Sequence, residues 1–421
     1  MPALAAAPAE GGWGAMRQPP PTTAEVVRHH RTTHHHPLHR VASSLAHVPA
    51  SLAHVPAGLL HQVQRAGPLE SPWLAVGLGA LLLATLAAVA WQRRWPAGPP
   101  PRHPWLRRGG LAAWLVVIAV LCGLAGLNAY VGYVPTLPSL FGHVGGRSGA
   151  NVRGGGSRIV TLEIGAPNLR VPPSRAYVYL PPGYDSASQA RRRYPVVYLL
   201  HGYPGGPIDW FRAAQVQQIM DAMLADGLVQ PMILVAPDAS GGWLHDSEML
   251  NQVGGPQVES YLVGPVVHTI DATFRTIPTR AGRAIGGMSS GGYGALNLGL
   301  RHQNVYSVIL SLMPYGTPGD VTWTLLGGSH RLWLQNSPDA DIPRMRFRQP
   351  MAVAFFAGDR DPEAREASRL ARMLRARGQY TVFDEVPGAA HTWHGARAET
   401  PDMLAFASGH LAGRHPVRGL A

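Results

Sequence analysis

The pattern of hydrophobic positions changes twice along the chain. Residues 1–70 show no regular apolar spacing and are rich in Pro, Ala and His. Two long apolar stretches follow, at about residues 73–91 and 111–134. From residue 158 onward, short apolar runs alternate with segments of helical spacing. The pattern predicts a disordered tail, two membrane-length helices within residues 71–134, and an α/β domain over residues 158–415.

Each apolar stretch is free of charge and long enough to cross a hydrocarbon core at the rise of an α-helix. The connecting loop has no acidic residue and carries Arg93, Arg94, Arg102, Arg107 and Arg108. Arginine-rich loops of this kind stay in the cytoplasm. We therefore expect a multi-pass protein of the cell membrane, with the lipid bilayer as a partner and the α/β domain on the extracytoplasmic face. Residues 135–157 have the Gly- and Pro-rich composition of a flexible linker.

Composition and charge exclude several classes of ligand. The net charge is +12 and every basic side chain is arginine, but no basic block is interleaved with aromatic residues. We therefore expect no nucleic-acid partner. The His-rich tail lacks cysteines or carboxylates at ligand spacing, so we expect no metal site, and the chain carries no cofactor motif. A single cysteine, Cys122, allows no intrachain disulfide.

The last 260 or so residues predict a mostly parallel, doubly wound sheet. Apolar runs indicate strands at residues 158–164, 175–180, 195–200, 232–236, 283–285, 305–312, 352–357 and 380–386. Helical spacing is found at residues 215–226, 256–274, 293–300, 362–377 and 401–411. Active sites in such sheets lie at the carboxyl ends of the strands.

One such strand end carries a G-x-S-x-G motif, at residues 287–291. The motif lies between a predicted strand and a predicted helix, the setting in which it forms a nucleophile elbow. Ser289 has glycine two residues before and two residues after it, whereas Ser290 does not. Ser289 is therefore the candidate nucleophile, and the alternative is a Gly/Ser-rich turn without chemistry.

The loop after strand 195–200 is a candidate for the second part of the site. In an α/β-hydrolase, a glycine-containing loop after this strand supplies one backbone N–H of the oxyanion hole, and the residue after the nucleophile supplies the other. These would be Tyr203 and Ser290. Trp210 and Trp243 are possible walls of a substrate pocket, although a place in the core is the more usual role for such aromatic residues.

An acid and a base complete the candidate chemistry. Asp361 follows strand 352–357 at the spacing of a triad acid, although it is also well placed to cap a helix, and Asp359 is its rival. His391 follows the last predicted strand and is the candidate base, with His394 as its rival. The order Ser, Asp, His along the chain is that of α/β-hydrolases.

From about residue 178 to 412 the chain resembles the esterase family that includes esterase D, feruloyl esterases and bacterial mycolyltransferases. The resemblance rests on the stretches Tyr198–Gly202, Asp209–Trp210, Arg283–Leu296 and Gly388–Trp393. It implies an α/β-hydrolase fold in which Ser289, Asp361 and His391 form the triad. Serine replaces a frequent methionine at position 290, and two alanines replace Gly-Gly at positions 389 and 390. Together with the two apolar stretches, the chain is similar to actinobacterial envelope esterases.

These features predict a membrane-anchored serine esterase acting on an ester-containing small molecule, lipid or glycan. An acyltransferase that moves the acyl group to a sugar or lipid hydroxyl is the first alternative. A non-catalytic envelope binding protein on a hydrolase fold is the second. A transporter is disfavoured, because the apolar stretches contain no charge.

Overall fold

The computed structural model describes residue 58 and residues 67–95, 104–137, 156–242, 245–319 and 322–413. Most of the predicted tail and linker, together with Trp243, lies outside these residues. The first strand of the described residues begins at Arg158.

A single sheet of eight strands organises the described part of the α/β domain, in the order β1-β2-β4-β3-β5-β6-β7-β8. The strands are β1 (Arg158–Ala166), β2 (Val171–Leu180), β3 (Val196–Leu200), β4 (Ile233–Ala236), β5 (Arg283–Met288), β6 (Val308–Leu312), β7 (Ala352–Gly358) and β8 (Tyr380–Val386). The pairings of β1 with β2 and of β2 with β4 are antiparallel, and all the other pairings are parallel. Every residue of β3, β4, β5 and β6 is buried, as expected for strands covered by helices on both faces. The predicted mostly parallel, doubly wound sheet is confirmed.

The helices flank this sheet, except for the first two. They are α1 (Pro72–Arg94), α2 (Pro104–Val131), α3 (Asp209–Arg212), α4 (Val216–Ala225), α5 (Val258–Tyr261), α6 (Val267–Thr273), α7 (Ser290–Arg301), α8 (Thr322–Leu325), α9 (His330–Gln335), α10 (Pro338–Asp341), α11 (Ala364–Ala376) and α12 (Trp393–His410). A π-helical turn, Leu262–Val266, joins α5 to α6.

The last helix starts earlier than its sequence predicts. The sequence predicts the last helix at residues 401–411, but α12 begins at Trp393 and contains Pro401. Thr392 caps the true start, where its side-chain oxygen accepts the backbone N–H of Gly395 at 3.2 Å. Most of α12 is buried, and this packing outweighs the local cost of the internal proline.

Helices α1 and α2 correspond to the two apolar stretches and are long and apolar enough to cross a membrane. In an 18-residue apolar window of each helix, none of the residues is buried in α1 and 11% are buried in α2. The two helices pack against each other, and the Cys122 thiol of α2 contacts the Ala75 carbonyl of α1 at 3.5 Å. Most of their apolar surface therefore faces away from the rest of the protein.

The chain just outside these helices is fixed to the α/β domain. Glu70, directly before α1, forms a 2.6 Å ion pair with Arg397 of α12, and both side chains are only 2% exposed. Tyr133, directly after α2, donates a hydrogen bond from its hydroxyl to the carboxylate of Asp209 in α3. The start of α1 and the end of α2 thus both lie against the domain.

Candidate active site

The turn between β5 and α7 has the geometry of a nucleophile elbow. Ser289 adopts φ 59° and ψ −121°, and its backbone N–H donates to the Leu312 carbonyl at 3.0 Å. A Cβ atom at Gly287 would lie 2.2 Å from the Gly291 carbonyl oxygen, and one at Gly291 would lie 2.3 Å from the Leu200 carbonyl oxygen. Only glycine fits either position, so the glycines of the motif permit the sharp turn that presents the serine.

Three side chains from different strand ends form one chain of hydrogen bonds. The Ser289 hydroxyl lies 2.8 Å from Nε2 of His391, and Nδ1 of the same imidazole lies 3.0 Å from Oδ1 of Asp361. The Asp361 side chain is fully buried, whereas that of His391 is 27% exposed. Oδ1 of Asp361 also accepts the Glu363 backbone N–H at 2.9 Å. With Nδ1–H donating to the carboxylate, Nε2 is free to accept the serine proton.

The two rival residues have other partners. Asp359 is exposed, and its Oδ1 accepts the backbone N–H of Gly388 at 2.8 Å. His394 accepts a hydrogen bond at Nδ1 from the Arg397 guanidinium at 2.9 Å. Burial and the positive charge of Arg397 lower the pKa of His394. The structure therefore brings Asp361 and His391 to Ser289, and not their rivals.

A buried acid behind Asp361 gave no signal in the sequence. Glu399 of α12 is fully buried, and its pKa is raised well above the usual range by burial and by the nearby carboxylates of Asp361, Asp384 and Asp402. Among the described residues, neither Glu399 oxygen nor Oδ2 of Asp361 has a hydrogen-bond partner. Burial and these neighbouring carboxylates thus favour the neutral form of Glu399.

The loop after β3 lies directly against the nucleophile. A Cβ atom at Gly202 would sit 3.4 Å from the Cβ of Ser289, so the backbone at this point can approach the serine closely. The preceding His201 is buried, and its Nε2 accepts the Ala239 backbone N–H at 3.0 Å. This bond anchors the start of the loop, and Tyr203 is the next residue after the glycine.

Ser290 is the first residue of α7 and directly follows the nucleophile. Backbone N–H groups in the first turn of a helix have no acceptor within the helix, and the helix dipole makes this end partly positive. The N–H of Ser290 is thus of the type that can donate a hydrogen bond to an oxygen on which negative charge develops.

The two tryptophans considered as pocket walls need separate treatment. Trp210 is fully buried, donates its indole N–H to the Leu200 carbonyl at 3.0 Å, and packs edge-on against Trp393. It therefore belongs to the core beneath the site, and the expectation that it lines a substrate pocket is corrected. The core position removes the apolar ring from water, and the bond to Leu200 satisfies its single hydrogen-bond donor. Trp243 lies outside the described residues.

A cavity of about 990 Å³ opens beside the reactive groups. The α/β domain contributes Ser289, His391 and part of the loop after β3 to its wall. Much of the remaining wall comes from α1 and α2 and the residues next to them, chiefly leucines. No motif in the sequence indicated that the apolar helices would border this cavity.

A serine on an elbow of this kind, above a mostly parallel sheet with this strand order, defines an α/β-hydrolase. A family model described as "Putative esterase" matches residues 173–407, which is more than half of the chain. The protein therefore belongs to this esterase family, and the family resemblance predicted from its motifs is confirmed.

Curated relatives support the same family. The chain is 29% identical over 250 residues to an uncharacterised protein of Corynebacterium glutamicum, covering 56% of this chain and 57% of that protein. It is 31% identical over 226 residues to an endo-1,4-beta-xylanase/feruloyl esterase of Xylanibacter ruminicola, covering 52% of this chain and 27% of that protein. An esterase of Mycobacterium tuberculosis is 34% identical over 125 residues, which are 30% of this chain and 25% of that protein. The chain thus spans between a quarter and somewhat over half of these relatives' lengths.

Solved structures agree on the fold. A ferulic acid esterase superposes with a TM-score of 0.54 at 23% identity, over 61% of this chain and 99% of that one. An S-formylglutathione hydrolase of Agrobacterium tumefaciens superposes with a TM-score of 0.50 at 16% identity, over 62% and 98% of the two chains. The family match begins at residue 173, so α1 and α2 lie outside it.

Proposed function

We propose that this protein is a membrane-anchored serine esterase that cleaves carboxylic esters through an acyl-enzyme. Ser289 is the nucleophile, His391 the general base and Asp361 the acid that orients it. The observation that carries the proposal is the continuous hydrogen-bonded chain from Asp361 through His391 to Ser289 on a strained elbow. Membership of the esterase family agrees with this chemistry.

The reaction proceeds in two halves. In the first, Nε2 of His391 takes the proton of Ser289 as Oγ attacks the ester carbonyl, and Asp361 stabilises the resulting imidazolium. The backbone N–H groups of Tyr203 and Ser290 hold the oxyanion, and losing one such donor typically costs about 100- to 1000-fold in turnover. The imidazolium then protonates the leaving alcohol. In the second half, water attacks the acyl-enzyme by the same route and frees the acid.

The apolar surfaces of α1 and α2 support the membrane anchor. A soluble protein rarely exposes contiguous apolar surface as large as that of two uncovered helices of this length. The arginines between them, including Arg93 and Arg94 at the end of α1, favour a cytoplasmic loop. The helix ends that contact the α/β domain are those opposite this loop. We therefore place the domain on the extracytoplasmic face.

An acyltransferase is the second candidate, and one observation favours it. Leucines of α1 and α2 form one side of the cavity beside Ser289, and they reduce the access of water to an acyl-enzyme. Adding a sugar or glycerol acceptor to the reaction separates the two activities. A transferase yields the acylated acceptor in preference to free acid, whereas an esterase yields free acid at an unchanged rate.

The test of the esterase proposal is covalent labelling and turnover of the full-length protein in detergent. A fluorophosphonate probe is expected to label the wild type, and p-nitrophenyl acetate is expected to be hydrolysed. Ser289→Ala should abolish both signals, while the matched control Ser368→Ala, on α11, should retain them. Labelling that persists in Ser289→Ala would show that another group is the nucleophile.

The orientation has its own test. Protease added to intact cells should remove the α/β domain while cytoplasmic marker proteins survive. A domain that is protected until the cells are lysed would place it in the cytoplasm and exclude envelope substrates.

A further inference from the structure

The cavity beside Ser289 is continuous with an apolar groove along the two N-terminal helices. Its wall includes six apolar side chains from the helices, namely Leu74, Leu78, Leu121, Leu124, Leu127 and Val131. Ser289 and His391 border the same cavity. A ligand in the groove is therefore in direct reach of the reactive serine.

The polar groups on the helix side of this wall are engaged with protein partners. The Asn128 amide donates to the carbonyls of Leu69 and Val134 at 2.9 Å each, and its oxygen accepts the Val134 N–H at 2.8 Å. The Tyr133 hydroxyl donates to the carboxylate of Asp209. Carbohydrate ligands require hydrogen-bonding partners, whereas an alkyl chain requires only apolar surface. The helix wall is suited to an alkyl chain.

The length of the groove is set by the positions of its lining residues. Leu78 lies six residues into α1, which is about 9 Å along the helix, and Leu121 lies ten residues before the end of α2, about 15 Å. With carbon–carbon bonds of about 1.5 Å in a zigzag, this extent of lined helix is comparable to the length of roughly 8 to 12 carbons of an alkyl chain. The groove thus reaches well into the part of the helices that we place in the bilayer.

The wall is held in place by the contacts of the helix ends. The Glu70–Arg397 ion pair is 2.6 Å long and has 2% exposure on each side, and it joins the start of α1 to α12. An uncompensated buried charge would be costly, so this pair keeps the helix against the domain. The groove and the serine therefore act as one site.

From these observations we infer that α1 and α2 form an acyl-binding groove, and that the substrate is a membrane lipid ester whose acyl chain reaches Ser289 from within the bilayer. Acyl binding of this kind presupposes the serine esterase proposed above. It assigns a substrate class to that enzyme and a binding role to helices that lie outside the matched family region. The helices would then anchor the protein and also select its substrate.

The first test narrows the groove without touching the reactive groups. Leu78→Trp places a larger side chain in the groove, and Leu83→Trp is the matched control, since Leu83 lies on the same helix and is 68% exposed. The full-length protein in detergent is assayed with p-nitrophenyl acetate and p-nitrophenyl dodecanoate. Both variants see the same micelles, so differences in ester partitioning cancel in the comparison.

We expect Leu78→Trp to lower kcat/KM at least tenfold for the dodecanoate and to leave the acetate within about twofold. Burying one methylene contributes up to about fourfold, so a tenfold loss corresponds to displacing only about two methylenes. Leu78→Phe should show a smaller loss in the same direction, and Leu83→Trp should show none. Retained acetate turnover in each variant demonstrates that the protein is folded.

Two results would overturn the acyl groove while leaving the esterase intact. One is an equal effect of Leu78→Trp on both esters, and the other is no effect on the dodecanoate. By contrast, a wild type that fails to cleave the acetate, or does so without Ser289, would contradict the esterase itself. The two failures are therefore distinguishable.

The second test asks where the acyl chain comes from. The protein is reconstituted in phosphatidylcholine vesicles containing 4-methylumbelliferyl dodecanoate, an ester that partitions into the bilayer. The rate should follow the mole fraction of the ester in the membrane when vesicles are diluted or extra lipid is added. A rate that follows the bulk ester concentration at constant mole fraction would show entry from water and refute the bilayer route.

Discussion

The replacement of Asp361 by asparagine separates the charge of the triad from its geometry. Oδ1 of Asp361 accepts both Nδ1–H of His391 and the backbone N–H of Glu363. Two donors at this position favour the carbonyl oxygen of an asparagine there, so the imidazole should keep its orientation and tautomer. The variant then lacks only the negative charge that stabilises the imidazolium formed during attack.

The size of this loss follows from the distance between the two groups. Unit charges 3.0 Å apart, the distance from Nδ1 to Oδ1, interact by about 5 kcal/mol at an effective dielectric constant of about 20. Burial of the Asp361 side chain limits screening by solvent. A loss of about 4–5 kcal/mol from the transition state corresponds to a reduction of about 1000- to 5000-fold in kcat.

The assay is the turnover of p-nitrophenyl acetate by Asp361→Asn, with Asp359→Asn as the control. Asp359 is exposed, and among the described contacts its carboxylate accepts only the backbone N–H of Gly388, so its variant should keep activity within a few-fold. Circular dichroism verifies that both variants are folded. The assignment of the acid is wrong if Asp361→Asn retains more than a tenth of the wild-type activity. It is also wrong if Asp359→Asn loses more activity than Asp361→Asn.

Three further predictions concern the elbow, the helix anchor and a buried acid. Gly291→Ala should destabilise the domain by about 1–3 kcal/mol or more and reduce turnover, because its Cβ would clash with the Leu200 carbonyl. Glu70→Ala should lower stability by about 3–5 kcal/mol, measured by thermal unfolding in detergent, because it leaves the Arg397 charge buried without its partner. Burial raises the pKa of Glu248 to about 7. Below about pH 4 the carboxyl group is neutral in both the folded and the unfolded protein. As the pH rises from there to 7, only the unfolded chain ionises readily, so the folded protein loses stability. Glu248→Gln should therefore gain stability over the wild type between pH 5 and 8, by up to about 3 kcal/mol.

Each of these outcomes has a clear opposite. An active and stable Gly291→Ala protein would mean that the turn can relax. An unchanged melting temperature in Glu70→Ala, with Glu70→Gln as the isosteric comparison, would mean that the ion pair does not hold the helix. A stability difference that stays constant from pH 5 to 8 would show that Glu248 is ionised throughout this range in the folded protein.

Much of the fold could be predicted because its signals are local. The continuous apolar runs of β3 and β4 indicate strands buried on both faces, and both are found. The elbow is equally local, since glycines at positions 287 and 291 are required by contacts within one strand–turn–helix unit. Predictions of this kind succeed when one short segment contains both the constraint and the residue that meets it.

Predictions about side-chain surroundings were less successful. Trp210 is a plausible pocket residue by sequence position, yet its ring lies in the core against Trp393. The sequence predicts the last helix only at residues 401–411, whereas α12 begins at Trp393. In both cases the outcome is decided by packing between residues that are distant in sequence. For the helix start, this packing outweighs local helix propensities, which are worth little energy.

The sequence alone determined most of the helices and strands and the apolar character of the two N-terminal helices. It also determined the order in which the serine, the aspartate and the histidine of the site follow their strands. Ser289, Asp361 and His391 are separated by 72 and 30 positions, and only the parallel sheet brings their side chains to one edge. Likewise, the leucines of α1 and α2 have the same periodicity whether they meet lipid, each other or a ligand. Beside Ser289, they are joined to the domain by contacts such as the Glu70–Arg397 pair, which links positions 327 residues apart. Contacts at that separation are decided by the packing of the whole domain, because no local preference links the two residues.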